Sequence, residues 1–188
     1  MIPDDEFYKI KGVPGPTKEE IRCLVMCKAR VSSSDVVLDV GCGTGGLTVE
    51  LSRRVKKVYA VDKNPQAVEV TLKNLKTHNP FGDVELFEND ALTIMDDILA
   101  FDVLIVGGSS GDLVPIIKKG YEMLKAGGRI IVTAILLETR TSTVLTLKEL
   151  GLNPEIVEVF IARGKVLDRG TMMEGSNPVA IITGRKSV

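Results

Sequence analysis

The run Val37-Leu38-Asp39-Val40-Gly41-Cys42-Gly43-Thr44-Gly45-Gly46 carries the most chemical information in the chain. An apolar stretch ends in closely spaced glycines, and a helical pattern opens at Leu47. Glycine lets a backbone turn tightly and approach a ligand closely, which suits a loop that cradles a cofactor. Gly41, Gly43 and Gly46 formally satisfy the G-x-G-x-x-G spacing of dinucleotide sites. Asp39 argues for a different ligand, because a carboxylate there attracts an ammonium group and repels a pyrophosphate. Asp62 closes the run Val58-Tyr59-Ala60-Val61-Asp62, and an acid at the end of a second strand can accept both hydroxyls of a ribose. Taken alone, Asp62 fits a nicotinamide dinucleotide and any other ribose-bearing cofactor equally. Glu88-Asn89-Asp90-Ala91 follows a third apolar run. Asp90 suits the N-cap of the next helix.

These residues converge only if the intervening elements alternate. The pattern predicts strands over Val36–Val40, Val58–Val61, Val84–Phe87, Val103–Val106 and Ile130–Thr133. Helices are predicted over Leu47–Arg54, Gln66–Thr77, Ala91–Ile98 and Asp112–Leu124. Near-continuous apolar strands belong to sheets covered on both faces. Their alternation with helices predicts an α/β, doubly wound, mostly parallel sheet with right-handed crossovers. Ligands of such sheets bind beyond the carboxyl ends of the strands, where strand order reverses. The glycine loop, Asp62 and Asp90 all fall at such ends. Asn64, just before Pro65, suits the cap of the helix that follows.

Ahead of this core, Gly12-Val13-Pro14-Gly15-Pro16 is irregular. Thr17-Lys18-Glu19-Glu20 has the form of a capping box, which predicts a helix over Lys18–Ala29 with Thr17 as its cap. Near the end, a helix over Thr141–Leu150 precedes strands over Glu155–Ala162 and Val179–Thr183, with Arg163–Pro178 irregular between them. Two strands with no helix between them can pair antiparallel at a sheet edge. The expected organisation is a single domain over 1–188. Residues 1–34 form an N-terminal lid and helix, and residues 35–188 a Rossmann-like core.

Composition removes several function classes. Basic and acidic residues number 24 and 25, without the basic excess that phosphate binding favours, so no nucleic-acid partner is expected. No apolar run reaches the roughly 18 residues of a membrane span, and the acidic N-terminus lacks a signal-peptide core, so no membrane partner and a cytoplasmic location are expected. Cys23, Cys27 and Cys42 are an odd set with a single histidine, His78, in the chain. Neither a disulfide framework nor a metal site is expected, and Cys23 and Cys27 are expected to be buried as small hydrophobes.

The string Asp39-Val40-Gly41-Cys42-Gly43-Thr44-Gly45 closely resembles the first motif of class I methyltransferases. Their cofactor, S-adenosyl-L-methionine, carries the ammonium that Asp39 favours. The chain as a whole resembles the decarboxylating cobalt-precorrin-6B C15-methyltransferases of anaerobic cobalamin biosynthesis. It is also similar to the C-terminal half of the fused precorrin methylase. The likeness rests on Val13-Pro14-Gly15-Pro16-Thr17, the glycine loop, Val106-Gly107-Gly108-Ser109 and Gly127-Gly128-Arg129-Ile130-Ile131-Val132-Thr133-Ala134. It continues through Ala162-Arg163-Gly164 and Asn177-Pro178-Val179.

The resemblance implies a Rossmann-like, seven-stranded sheet with an antiparallel edge hairpin, and a homotetramer. It implies methylation of C15 of a corrin precursor with loss of the C12 acetate carboxyl. The cofactor-binding residues it implies, together with the motif reading, are Thr17, Asp39, Gly41, Cys42, Gly43, Thr44, Gly45, Asp62, Asp90 and Ala91. Arg22, Arg140, Arg163, Lys165 and Arg169 are the cations available to substrate carboxylates, although solvated surface charge is the simpler reading of each. The Pro-Gly-Pro segment is expected to fold over the site, and the Arg163–Pro178 segment to pack against a neighbouring subunit. No catalytic acid or base is assigned, because alignment of methyl and carbon can carry much of the chemistry. The competing readings are a class I methyltransferase acting on RNA or protein isoaspartate and, in another class, a nicotinamide-dependent oxidoreductase. The absence of Asn-Pro-Pro-Tyr after Val106 weakens the base-modifying and glutamine-modifying variants.

Overall fold

Val36–Val40 (β1) is buried at all but its first residue and sits between two parallel neighbours, Lys57–Asp62 (β2) and Phe101–Val106 (β4). Asp83–Glu88 (β3) extends the sheet beyond β2, and Leu124–Ala134 (β5) extends it beyond β4, both in parallel. Val179–Arg185 (β9) then pairs antiparallel with β5 and with Glu155–Val159 (β6). The result is a seven-stranded sheet of order β3-β2-β1-β4-β5-β9-β6. The computed structural model describes residues 1–78 and 82–187; Val188, the last residue of the expected domain, lies outside them.

Successive side chains of a strand point to opposite faces, so β1 feeds two cores. Leu38 and Val40 join Ile94, Ile117 and Leu147. These three come from Ala91–Asp97 (α4), Leu113–Met123 (α5) and Leu137–Glu149 (α6). Val37 joins Ile21, Val25 and Leu51 on the other face. Those side chains belong to Glu19–Ala29 (α1) and Gly46–Ser52 (α2). Each fully buried aliphatic side chain contributes about 1.5–3 kcal/mol relative to exposure, so the central strands hold the loops at their ends firmly. β1 turns toward β2 on one side while β4 lies on the other. This reversal opens a crevice at their carboxyl ends.

The structure corrects several expectations. Lys18, not Thr17, is the N-cap of α1, and no side chain caps it; the Thr17 carbonyl instead accepts from Arg22. Cys23 and Cys27 are exposed, while Cys42 is buried. Ile21 and Val25 turn into the core, and positions two residues further on fall on the opposite side of the helix. β6 ends at Val159 because Ala162 opens a separate ribbon. In place of an irregular segment, Ala162–Leu167 (β7) and Gly170–Gly175 (β8) pair antiparallel from Ala162↔Gly175 to Leu167↔Gly170. β5 starts at Leu124, directly after α5, and a register shift against β4 between Phe101 and Val103 absorbs the added length. Among the described residues, no helix is long and apolar enough to cross a membrane.

Candidate active site

The loop leaving β1 is tied to the end of β2. The Gly41 and Cys42 N–H groups both donate to the Val61 carbonyl, at 2.9 and 3.2 Å. Gly41 has φ +72°, and a Cβ there would stand 2.5 Å from the carbonyl oxygen of Gly108 in the loop after β4. The two loops therefore touch backbone to backbone. Gly43, at φ +59°, is different, because a Cβ there meets nothing within 4 Å. Its side-chain position opens into free space.

Pro65–His78 (α3) buttresses this loop from behind. Thr71 Oγ1 donates to the Gly43 carbonyl at 2.9 Å, and Asn74 Nδ2 donates to the Thr44 carbonyl at 2.8 Å. Both side chains are fully buried. The sequence reading missed them. Their signal was two polar residues three apart on the helix face that also buries Val70 and Leu75. Buried amides and hydroxyls require partners, and here the partners are loop carbonyls.

The acids follow. Asp62 Oδ2 accepts from Gly43 N–H at 2.9 Å, and its Oδ1 accepts from Asn64 N–H at 2.9 Å. Asn64 in turn accepts from Gln66 N–H at 3.0 Å, the expected cap of α3. Asp39 is buried and accepts from Thr48 Oγ1 at 2.6 Å. Burial pushes the Asp39 carboxyl up to about 6; the Thr48 bond opposes this and the nearby Asp62 charge adds to it. Burial also pushes the Cys42 thiol far above its usual range, with Asp39 and Asp62 acting in the same direction, so the thiol is neutral. Asp90 caps α4 by accepting from Leu92 N–H at 2.7 Å. Lys63 bridges Asp90 at 2.7 Å and Asp112 at 3.0 Å. Its ammonium holds the Asp90 carboxyl below the usual range.

These groups surround a cleft of about 280 Å³. Thr17, Asp39, Gly41, Cys42, Gly43, Thr44, Asp62 and Ala91 line it, as do Lys63 and Asn89, which the sequence reading did not single out. Gly45 and Asp90 are not in the lining. Gly45 is the N-cap of α2 and backs onto Thr71, and Asp90 is engaged by Lys63 and the α4 terminus. Thr44 Oγ1 is buried and has no partner among the described residues. A second cleft of about 800 Å³, with mostly apolar walls, adjoins the first. Pro14, Gly15, Thr17, Gly107, Gly108, Ser109 and Ser110 belong to both linings.

The cations considered for substrate carboxylates stand elsewhere, four of them partly or fully exposed, as their reading as surface charge expects, and Arg22 buried, contrary to it. Arg22 is fully buried against Asp4 at 2.7 Å. Arg140 pairs with Glu158, Arg163 with Glu20, and Lys165 with Glu174. Arg169 is exposed on the turn between β7 and β8. None of the five lines the larger cleft, where Lys18 is the cation among the described lining residues.

A family model described as precorrin methyltransferase domain matches residues 11–186. A Methanothermobacter thermautotrophicus protein named "Probable cobalt-precorrin-6B C(15)-methyltransferase (decarboxylating)" is 53% identical over 182 residues, covering 97% of this chain and 95% of its own. A crystallographic structure of precorrin 8W decarboxylase from Methanobacterium thermoautotrophicum superposes with TM-score 0.95 at 52% identity, covering 98% of this chain and 99% of that one. A precorrin-6Y C5,15-methyltransferase from Geobacter metallireducens superposes with TM-score 0.91 at 34% identity, covering 99% and 98%.

Proposed function

The chain belongs to the precorrin methyltransferase family, and from that premise we propose that it methylates C15 of cobalt-precorrin-6B from S-adenosylmethionine, with decarboxylation of the C12 acetate. The observation that carries this reading is the shared wall between the two clefts. Methyl transfer needs donor and acceptor in contact, away from bulk water. A smaller cleft that shares lining residues with a larger, mostly apolar cleft lets the two ligands meet, and the larger one lies in the range of small-molecule sites.

The smaller cleft suits S-adenosylmethionine on its own chemistry. Asp39 is a buried carboxyl whose ionised form a nearby ammonium would favour. Thr44 offers a buried hydroxyl without a partner. Gly43 leaves room for close approach. In this reading Asp62, at the end of β2, accepts from the ribose hydroxyls, and Asn89 and Ala91, which also line the cleft, meet the purine. When bound, this cofactor supplies an electrophilic methyl group on a cationic sulfur.

The rest is the work of the chain. Gly107–Ser110 and Pro14–Thr17 form the partition across which the two ligands meet. Cys42, held neutral, does not compete as a nucleophile. The apolar walls around Leu113, Val132 and Val179 weaken solvation of a carboxylate placed against them, which favours loss of carbon dioxide, the electron pair of the broken C–C bond passing into the conjugated ring of the substrate. The protein works as a cytoplasmic homotetramer in this reading, with the β7–β8 ribbon in the subunit contact.

The test is incubation of the purified protein with cobalt-precorrin-6B and methyl-labelled S-adenosylmethionine, read by mass spectrometry. The expected product carries the labelled methyl and lacks one carboxyl. Recovery of unchanged substrate from folded, cofactor-binding protein overturns the assignment.

A further inference from the structure

We infer that Arg22 is a positioning residue: it seats the Pro14–Thr17 strap on the glycine loop and so holds the partition between the two clefts. The inference rests on the proposed assignment of those clefts. Arg22 is fully buried, and its guanidinium makes directed bonds to three parts of the N-terminal segment. It donates to Asp4 Oδ1 at 2.7 Å and to the backbone carbonyls of Ile2 and Thr17. Its Cζ lies 4.7 Å from the centre of the Phe7 ring, and its Nε lies 3.8 Å from buried Glu50. Burying a guanidinium is costly unless it is paired, and an apolar side chain of similar volume can fill such a space at less cost. What the arginine adds is direction. It fixes the carbonyls at positions 2 and 17, near the two ends of the segment.

Two further contacts tie the same segment to the glycine loop. Asn74 accepts from Tyr8 N–H at 2.7 Å and donates to both the Tyr8 and Thr44 carbonyls. The strap also sits directly on Gly46. A Cβ at Gly46 would stand 3.0 Å from Pro16 Cβ, 3.3 Å from Thr17 N and 3.4 Å from Arg22 Cδ. Gly46 is the first residue of α2 and needs no left-handed backbone. The absence of a side chain there therefore serves the strap and not the turn. Arg22 and Gly46 act on one seat from two sides, one by attraction and one by leaving space.

Gly46→Ala tests this with Arg22 intact, beside Arg22→Met and the conservative Arg22→Lys. Hydrogen exchange over residues 11–18 of the ligand-free protein reads the strap without any ligand. Calorimetry with S-adenosylhomocysteine and steady-state kinetics on the corrin substrate read the partition. In Gly46→Ala, the expected result is faster exchange confined to that segment and a near-wild-type melting temperature. Cofactor affinity and kcat/KM should fall between about tenfold and a hundredfold, the scale of a small misplacement near reacting groups. Arg22→Lys should recover part of what Arg22→Met loses. Unchanged exchange in Gly46→Ala, or faster exchange with unchanged affinity and kcat/KM, overturns the inference. Failure of the wild type to bind the cofactor at all would strike the proposed function instead, and the exchange result would still report on the seat.

Discussion

Asp62 accepts the Gly43 N–H at 2.9 Å while lining the cleft that the glycine loop encloses, so one carboxylate both shapes the loop and is open to a ligand in the cleft. The two roles separate by substitution. Asp62→Asn keeps a carbonyl acceptor for the loop but loses the charge. It should remain folded and bind S-adenosylmethionine about 1–3 kcal/mol more weakly, the scale of a hydrogen bond to a charged group. Asp62→Ala should lose binding and also melt at a lower temperature, because Gly43 and Asn64 both lose their acceptor. Calorimetry and thermal melting on the two variants check this. A folded Asp62→Asn that binds like wild type removes Asp62 from the cofactor site.

Asp39 predicts a pH dependence. Its carboxyl is raised from an ordinary 3.8 to about 6, first by burial. A carboxyl with a raised folded-state pKa stabilises the fold fully below about pH 4, and that contribution is lost as pH rises through about 6. The whole shift corresponds to about 3 kcal/mol. An ammonium beside Asp39 favours the carboxylate, so cofactor binding should release a proton near pH 6 and weaken as pH falls below that point. Asp39→Asn should bind weakly with a flat profile and be at least as stable as wild type near pH 8. Calorimetry in buffers of different ionisation enthalpy counts the proton. A wild-type affinity that is unchanged between about pH 5 and pH 8 rules out Asp39 as the ammonium partner.

Gly41 and Gly43 should fail in different ways. At Gly41 any Cβ enters the backbone of Gly108, so Gly41→Ala should separate the loops after β1 and β4 and lower the melting temperature sharply. At Gly43 the new methyl meets only open space, and the left-handed backbone costs about 1–2 kcal/mol. Gly43→Ala should stay folded yet lose much of its cofactor affinity, and Gly43→Val should block binding. A Gly43→Val protein with wild-type affinity would show that no ligand approaches the loop there.

The sheet was legible because its strands are apolar runs of the right length, and the cleft because glycines and acids sit at their carboxyl ends. What escaped was set by tertiary partners. Thr71 and Asn74 look like ordinary polar positions on α3 until the loop carbonyls they serve are in place. Arg22 looks like a surface cation, because nothing in the local sequence says that Ile2, Asp4 and Phe7 fold back over it. Thr17 fits a capping box, yet its carbonyl is claimed by Arg22 from the first turn of the helix. The β7–β8 ribbon was missed because its strands carry glycines and charges where a buried strand carries aliphatics.

A two-stranded ribbon is marginally stable without further cover, and the β7–β8 ribbon leaves Val166 at 81% and Met173 at 62% exposure. The pairing places Val166 opposite Thr171 and Gly164 opposite Met173, so Val166 and Met173 share a face. On the chain itself the ribbon is held at its base, where Arg163 reaches Glu20 at 2.5 Å and Asp4 at 3.6 Å. No residue of the ribbon lines the larger cleft of its own subunit. A direct contact between the ribbon and the substrate would therefore have to come from a neighbouring subunit. The double substitution Val166→Glu and Met173→Glu should leave cofactor binding intact, since neither residue lines the smaller cleft. In the proposed tetramer it should cause dissociation in sedimentation velocity, because two carboxylates would be buried at the contact. If the ribbon also walls a neighbour's cleft, KM for the corrin substrate should rise while cofactor affinity holds. A variant that remains tetrameric and fully active would remove the ribbon from the assembly and leave it packed on its own subunit.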